Sequence, residues 1–234
     1  MIVLGLDTST SIAGIGLVSS NGTLAELNIN LETAHSERLL SNIDYLLNLS
    51  DLSLGDLTGL SISIGPGSFT GLRIGLATVK GLAYASNKPI VAVSTLDAIA
   101  EQFWCAWCPV AAVLDAKKGQ LYVAVYQARR DGMKRIMPYS VLAPEELPGI
   151  VNVKTLFVGP GISTFKKEIS KALKEKALFL PQDFCYIRGD SVARIGMEKL
   201  ADGEVEDADE LEPFYVRDSD AQPRDFKRTR RSAC

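Results

Sequence analysis

Ile2-Val3-Leu4-Gly5-Leu6-Asp7-Thr8-Ser9-Thr10-Ser11-Ile12-Ala13-Gly14-Ile15-Gly16-Leu17-Val18-Ser19-Ser20-Asn21-Gly22 is the stretch that decides the fold. Residues 2–6 form a continuous apolar run, and Asp7 to Ser11 supply turn chemistry. Residues 12–18 then alternate large apolar with small side chains, and Asn21-Gly22 is a two-residue hairpin signal. Residues 23–31 give a third strand. The opening therefore reads as an antiparallel meander.

Outward from it, Leu39, Leu40, Ile43, Leu46 and Leu47 recur at the spacing of one helix face, which predicts a helix over 36–49. A strand follows at 60–64, and Gly65-Pro66-Gly67-Ser68 breaks it ahead of a helix over 69–85. Residues 90–93 are a strand, and Ser94-Thr95-Leu96-Asp97 has the form of a capping box opening a short helix. The second half repeats the theme. Strands at 110–114 and 121–126 are joined by Lys117-Lys118-Gly119, and Asp131-Gly132 marks another hairpin turn. A strand covers 155–158, Ser163 is placed as the cap of a helix to 174, and Asp190 as the cap of a helix to 200 with Gly203 past its end. Each half thus holds a meander plus βα units, which favours two α/β lobes of about 100 residues each. The expected division is 1–103, 104–217 and a flexible basic tail at 218–234, with the link between halves near 103–108. Residues 204–212 are acidic, and 224–231 are basic without apolar period.

The 234 residues are 47% hydrophobic and 23% charged, which excludes disordered and collagen-like classes. Lys+Arg 25 against Asp+Glu 28 leaves a net charge of -3, a poor basis for holding nucleic acid by bulk charge. The single histidine, His35, excludes an HExxH zinc site. The N-terminus lacks the basic start of a signal peptide, and no stretch approaches the ~20 apolar residues of a membrane span. A cytoplasmic protein is expected. Cys105 and Cys108 sit in Trp104-Cys105-Ala106-Trp107-Cys108-Pro109, but a redox CxxC opens a helix after a strand, and here that order is reversed. A second CxxC for zinc is missing, so a buried apolar corner is the expectation.

Two polar segments carry candidate chemistry. Asp7-Thr8-Ser9-Thr10 ends the first strand; it could offer N–H groups and hydroxyls to a phosphate and a carboxylate to magnesium, or it could simply bond its own turn. Gly65-Pro66-Gly67-Ser68-Phe69-Thr70-Gly71 is neither a Walker A loop nor a GxGxxG fingerprint. Its helix N-terminus could bind an anion, or the glycines could serve the turn alone. The following helix is thinned by Gly71, Gly75, Ala77, Gly81, Ala83 and Ala85, at ~1 kcal/mol per interior glycine. Either the sheet or a second helix must approach its backbone. His35-Ser36-Glu37 stands at a helix start, where capping explains Ser36 and Glu37 without catalysis.

Gly5-Leu6-Asp7-Thr8-Ser9-Thr10, His35-Ser36-Glu37-Arg38-Leu39-Leu40, Gly65 through Gly75, Leu114-Asp115-Ala116-Lys117-Lys118-Gly119-Gln120-Leu121-Tyr122 and Pro213-Phe214-Tyr215-Val216-Arg217 resemble, in order, the motifs of the bacterial TsaB (YeaZ) family. The resemblance implies an actin-like, sugar-kinase/Hsp70-like fold of two lobes, each a mixed sheet with helices. It implies a non-catalytic partner of TsaD, which moves threonylcarbamoyl from its adenylate to the adenosine beside the anticodon of tRNAs reading codons that start with A. The TsaE ATPase joins that assembly, homodimers form through the two N-lobe helices, and tRNA is met through the complex. No catalytic or metal-holding residue is expected. TsaD-type members place two histidines on one helix turn, and here Leu39 lies four residues after His35. Partner contacts are expected at Ser36, Leu39, Leu40, Ile43, Phe69, Thr70, Arg73, Gly75 and Leu76. Asp7, Thr8, Ser9 and Thr10 would be a vestigial nucleotide turn, with no cofactor required and only weak ATP or ADP binding. The competing expectation is an autonomous actin-like ATPase or a glycoprotease-like metallohydrolase, for which only Asp7 and Asp115 offer carboxylates.

Overall fold

The computed structural model describes residues 1–30, 37–130, 132–181 and 184–214. His35, Ser36, Asp131, Tyr215 to Arg217 and the basic tail lie outside them. The chain opens as the meander β1 (Ile2–Asp7), β2 (Ile12–Ser19) and β3 (Gly22–Asn30). It continues through α1 (Glu37–Leu49), β4 (Gly59–Gly65), α2 (Phe69–Ser86), β5 (Ile90–Ser94) and α3 (Thr95–Glu101). The second half begins with β6 (Val110–Asp115), β7 (Leu121–Arg129) and β8 (Gly132–Leu142), followed by a 3-10 turn at Pro144–Gly149. It closes with β9 (Thr155–Val158), α4 (Ile162–Leu173), β10 (Ala177–Phe179) and α5 (Gly189–Ala201).

Two five-stranded sheets result, ordered β3-β2-β1-β4-β5 and β10-β9-β6-β7-β8. In each, three strands pair antiparallel and two more join parallel. Counted from the first strand of its own half, the order is the same in both, so one topology occurs twice. α3 follows the fifth strand of the first sheet and α5 the fifth strand of the second.

Strand alternation assigns the cores. Leu4 and Leu6 of β1 join Leu39, Ile43 and Leu46 of α1 and Leu76 and Val79 of α2 on one face of the first sheet. Val3 points to the other face, against Ala193 of α5. Val91 and Val93 of β5 meet Leu96, Ile99 and Val192 together with Val110, Ala112 and Leu114 of β6, so α3 and α5 lie between the sheets. Ala111 and Val113 of β6 face away, towards Phe165 and Ile169 of α4.

The small residues of β1 and β2 have one physical cause. Gly5 and Gly16 are register partners. A Cβ on Gly5 would sit 2.3 Å from Ala193 N, and one on Gly16 would sit 2.2 Å from Asp190 N. Gly196 meets Ser61 in the same way, at 2.4 Å. α5 therefore lies backbone to backbone on the sheet, which no side chain at these positions would permit. Although it comes late in sequence, α5 completes the first sheet.

Three expected caps are corrected. Ser94 is the N-cap of α3 but makes no side-chain cap bond, and Asp97 instead accepts from the Tyr126 and Tyr139 hydroxyls at 2.7 Å each. Ser163 lies inside α4, whose N-cap is Gly161, and its hydroxyl donates to Pro160 O at 2.8 Å. Asp190 lies in the first turn of α5, where it accepts from Thr23 Oγ1 at 3.0 Å and pairs with Arg188 at 3.3 Å. Gly203, with φ +79°, follows the end of α5 as the pattern predicts.

Candidate functional site

The β1–β2 turn and the loop before α2 meet at the carboxyl ends of β1 and β4. In an open α/β sheet that is where ligands bind. Asp7 is fully buried there. Its Oδ1 accepts from the Ser9 backbone N–H at 3.1 Å, and both oxygens accept from Ser9 Oγ at 3.1 and 3.0 Å. Burial raises its carboxyl to about 6, against the opposing pull of the hydrogen bonds from Ser9. Thr10 likewise bonds within the turn, donating to Ile12 O at 3.0 Å.

Turn and loop are clamped together. Ser68 N donates to Ser9 O at 2.7 Å, and Thr8 Oγ1 donates to Gly71 O at 2.7 Å. A Cβ on Gly67 would stand 2.6 Å from Ser9, one on Gly71 2.0 Å from Thr8 O, and one on Gly75 2.1 Å from Thr8 Oγ1. These glycines let α2 press onto its own sheet. Ser68 caps α2 by accepting from Gly71 N at 3.2 Å.

Beyond the clamp lies a cleft of about 650 Å³, walled by Ser9 to Ser11, Phe69, Asp115, Lys117 and the start of α4. Asp115 is committed as well: it accepts from Lys117 N at 2.7 Å and pairs with Lys117 Nζ at 3.1 Å. Among the described residues no group of three or more His, Cys, Asp or Glu is placed to hold a metal. Both carboxyl oxygens of Asp7 are turned onto Ser9, out of solvent.

The outer side of α2 has a different character. Leu72, Gly75, Leu76, Val79 and Ala83 are buried, while Phe69, Thr70, Arg73, Ala77, Gly81 and Tyr84 are exposed. The Arg73 guanidinium lies over the Phe69 ring, 3.5 Å from its centroid. A Cβ on Gly81 would meet nothing within 4 Å. On α1, Leu40 is 55% exposed. Of the expected partner residues, Leu40, Phe69, Thr70 and Arg73 thus form surface. Leu39, Ile43, Gly75 and Leu76 do not: they are buried in this chain's own core. Ser36 lies outside the described residues. Ala77, Gly81 and Tyr84 complete the exposed stripe, and their spacing from Arg73 at successive turns was the signal for them.

The sequence matches the family model of TsaD, tRNA N6-adenosine threonylcarbamoyltransferase, over residues 29–224. The tRNA threonylcarbamoyladenosine biosynthesis protein TsaB of Bacillus subtilis (strain 168) is 30% identical over 225 residues, covering 95% of this chain and 96% of that protein. Its namesake in Escherichia coli (strain K12) is 29% identical over 228 residues, covering 94% and 96%. YeaZ from Pseudomonas aeruginosa superposes with a TM-score of 0.78 at 26% identity, covering 92% of this chain and 99% of that one. Component A of the (R)-2-hydroxyglutaryl-CoA dehydratase of Acidaminococcus fermentans, 9% identical with a TM-score of 0.50, shares the fold alone. The architecture is the two-lobed, actin-like one, and among the described residues no helix is long and apolar enough to cross a membrane. On sequence and architecture together, the chain belongs to the TsaB family.

Proposed function

We propose that this chain is a non-catalytic subunit that binds and activates TsaD for threonylcarbamoyl transfer to the adenosine beside the tRNA anticodon. The observation that carries this is the commitment of Asp7. Its two oxygens bond Ser9 within its own turn, and the loop beyond is clamped shut by Thr8 and Ser68. Chemistry on a bound phosphate needs a carboxylate free to hold metal or water, and this one is spent on holding the turn. No nucleotide is needed for activation, and ATP or ADP binds at most weakly at Asp7 to Thr10.

The exposed stripe of α2, with Leu40 of α1 beside it, is the docking face. Ala77 and Gly81 at its centre let another helix approach closely, and Phe69, Arg73 and Tyr84 flank them. The corresponding lobe of TsaD occupies it in the working complex, a second copy of this chain occupies it when TsaD is absent, and TsaE joins the pair in the cytoplasm. Light scattering of the chain mixed with the TsaD of the same cell tests this. A heterodimer mass is expected, together with loss of the homodimer. Two unchanged masses, or modified tRNA formed by this chain without TsaD, would contradict it.

A further inference from the structure

A cavity of about 740 Å³ lies away from both the cleft and the docking face. Three elements wall it. Glu101 ends α3 and Trp104 follows in the next turn, Arg194 and Glu198 stand one turn apart on α5, and Arg129 ends β7 with Arg130 following it. Trp104, Arg129, Arg130 and Glu198 are exposed there. Trp104 is 63% exposed, and among the described residues its indole packs on no other ring. Arg129 and Arg130 are exposed, with no ion pair among the described residues. Arg194 is held towards the cavity by Thr23 at 2.7 Å and Asp190 at 3.8 Å.

The carboxyls are the telling pair. Glu101 is half-buried with Glu198 beside it, and burial followed by that like charge pushes it up to about 7. Glu198 is exposed, and among the described residues no donor bonds either carboxyl, which leaves both open to a ligand. A ligand for this cavity must bring paired N–H donors for a carboxylate, a flat face for an indole and an anion for arginines. Guanine carries two adjacent donors on its pairing edge, N1–H and the N2 amine, whereas adenine offers only its N6 amine there. Aromatic stacking with phosphate on arginine is the way single nucleotides are held in grooves.

We infer that this cavity binds a guanine nucleotide, its base stacked on Trp104, its donor edge on Glu101 and Glu198, and its phosphate on Arg129, Arg130 and Arg194. Both a free nucleotide and a guanosine of single-stranded RNA present that chemistry. The site is separate from the TsaD-docking face, so its failure would leave the proposed function standing.

The chain has two tryptophans, and Trp107→Phe leaves Trp104 as the sole reporter. Fluorescence of that variant is titrated with 5′-GMP, 5′-AMP, guanosine and a hexanucleotide of alternating G and U. GMP is expected to quench it with a Kd of about 0.1 mM or tighter, with AMP and guanosine at least about tenfold weaker. Glu101→Gln, which removes a half-buried charge, should erase most of the preference for GMP over AMP. Arg130→Ala, at an exposed position, should weaken GMP and leave guanosine unchanged. RNA binding at least about tenfold tighter than GMP assigns the site to RNA, and equal or weaker binding assigns it to the free nucleotide. Absence of quenching by both GMP and the RNA at millimolar concentration overturns the inference. So does binding that neither substitution alters.

Discussion

Asp7 holds its turn at a cost that pH exposes. Its folded carboxyl is raised to about 6 from 3.8, so its contribution to stability is fully present below about 3.8 and is lost as pH rises through 6. A shift of that size corresponds to about 3 kcal/mol, undiscounted because the group is fully buried. Asp7→Asn keeps an acceptor for the Ser9 N–H and cannot ionise. Relative to the parent it should gain ~1–3 kcal/mol on going from pH 4 to pH 8, read from denaturant unfolding at the two pH values. A difference independent of pH would show that the buried carboxyl is not the titrating group. TsaD activation by Asp7→Asn should stay within a few-fold of the parent. A loss of ~10³, the scale of a missing acid–base group, would instead mark Asp7 as catalytic.

At the scale of elements, α2 has two sides that glycine substitution separates. Gly75→Ala would drive a Cβ to 2.1 Å from Thr8 Oγ1 and 3.0 Å from Ile62 Cδ1, costing roughly 2–3 kcal/mol of stability. Gly81→Ala meets open space and should stabilise the monomer by ~0.5–1 kcal/mol through helix propensity alone. Thermal melts of the two variants should therefore move in opposite directions. Sequence alone could not tell these glycines apart, since all thin the helix equally and only the fold shows which ones Thr8 touches. The same limit explains the misassigned caps. Ser94-Thr95-Leu96-Asp97 has capping-box spacing, but two tyrosines far along the chain take the Asp97 carboxylate. The first meander and α1 were legible because their apolar periods are clean, and α2 because the Gly65-Pro66-Gly67-Ser68 break announces its start. β8 was not: an edge strand, it carries Lys134, Arg135 and Pro138 within its 11 residues, and its pairing with β7 is interrupted by register shifts. The Asp7 turn was legible as a polar turn, but the choice between ligand and self-bonding needed the position of Ser9.

At the scale of the molecule, the two halves are interlocked. α5 covers β1, β2 and β4 through the contacts at Gly5, Gly16 and Gly196, and Phe214 N donates to Ile64 O at 2.8 Å. A fragment of residues 1–108 leaves the inner face of its sheet bare, with Val3 and Val18 losing the cover of Ala193. It should fail to unfold cooperatively, whereas a mixture with residues 109–217 should regain a single transition by circular dichroism. A cooperative transition of the fragment alone would show that α5 is dispensable to the first sheet.

Activation of TsaD through the outer face of α2 is tested most directly by reconstitution on unmodified tRNA. Threonylcarbamoyladenosine formed by TsaD is measured with no addition, with the parent chain, and with Gly81→Leu, whose new side chain points into open space. The parent should raise the rate strongly. Gly81→Leu should remain folded and raise it at least about tenfold less, reflecting a contact weakened by 1.4 kcal/mol or more. Full activation by a folded Gly81→Leu variant, or product formed by the chain in the absence of TsaD, would contradict the account.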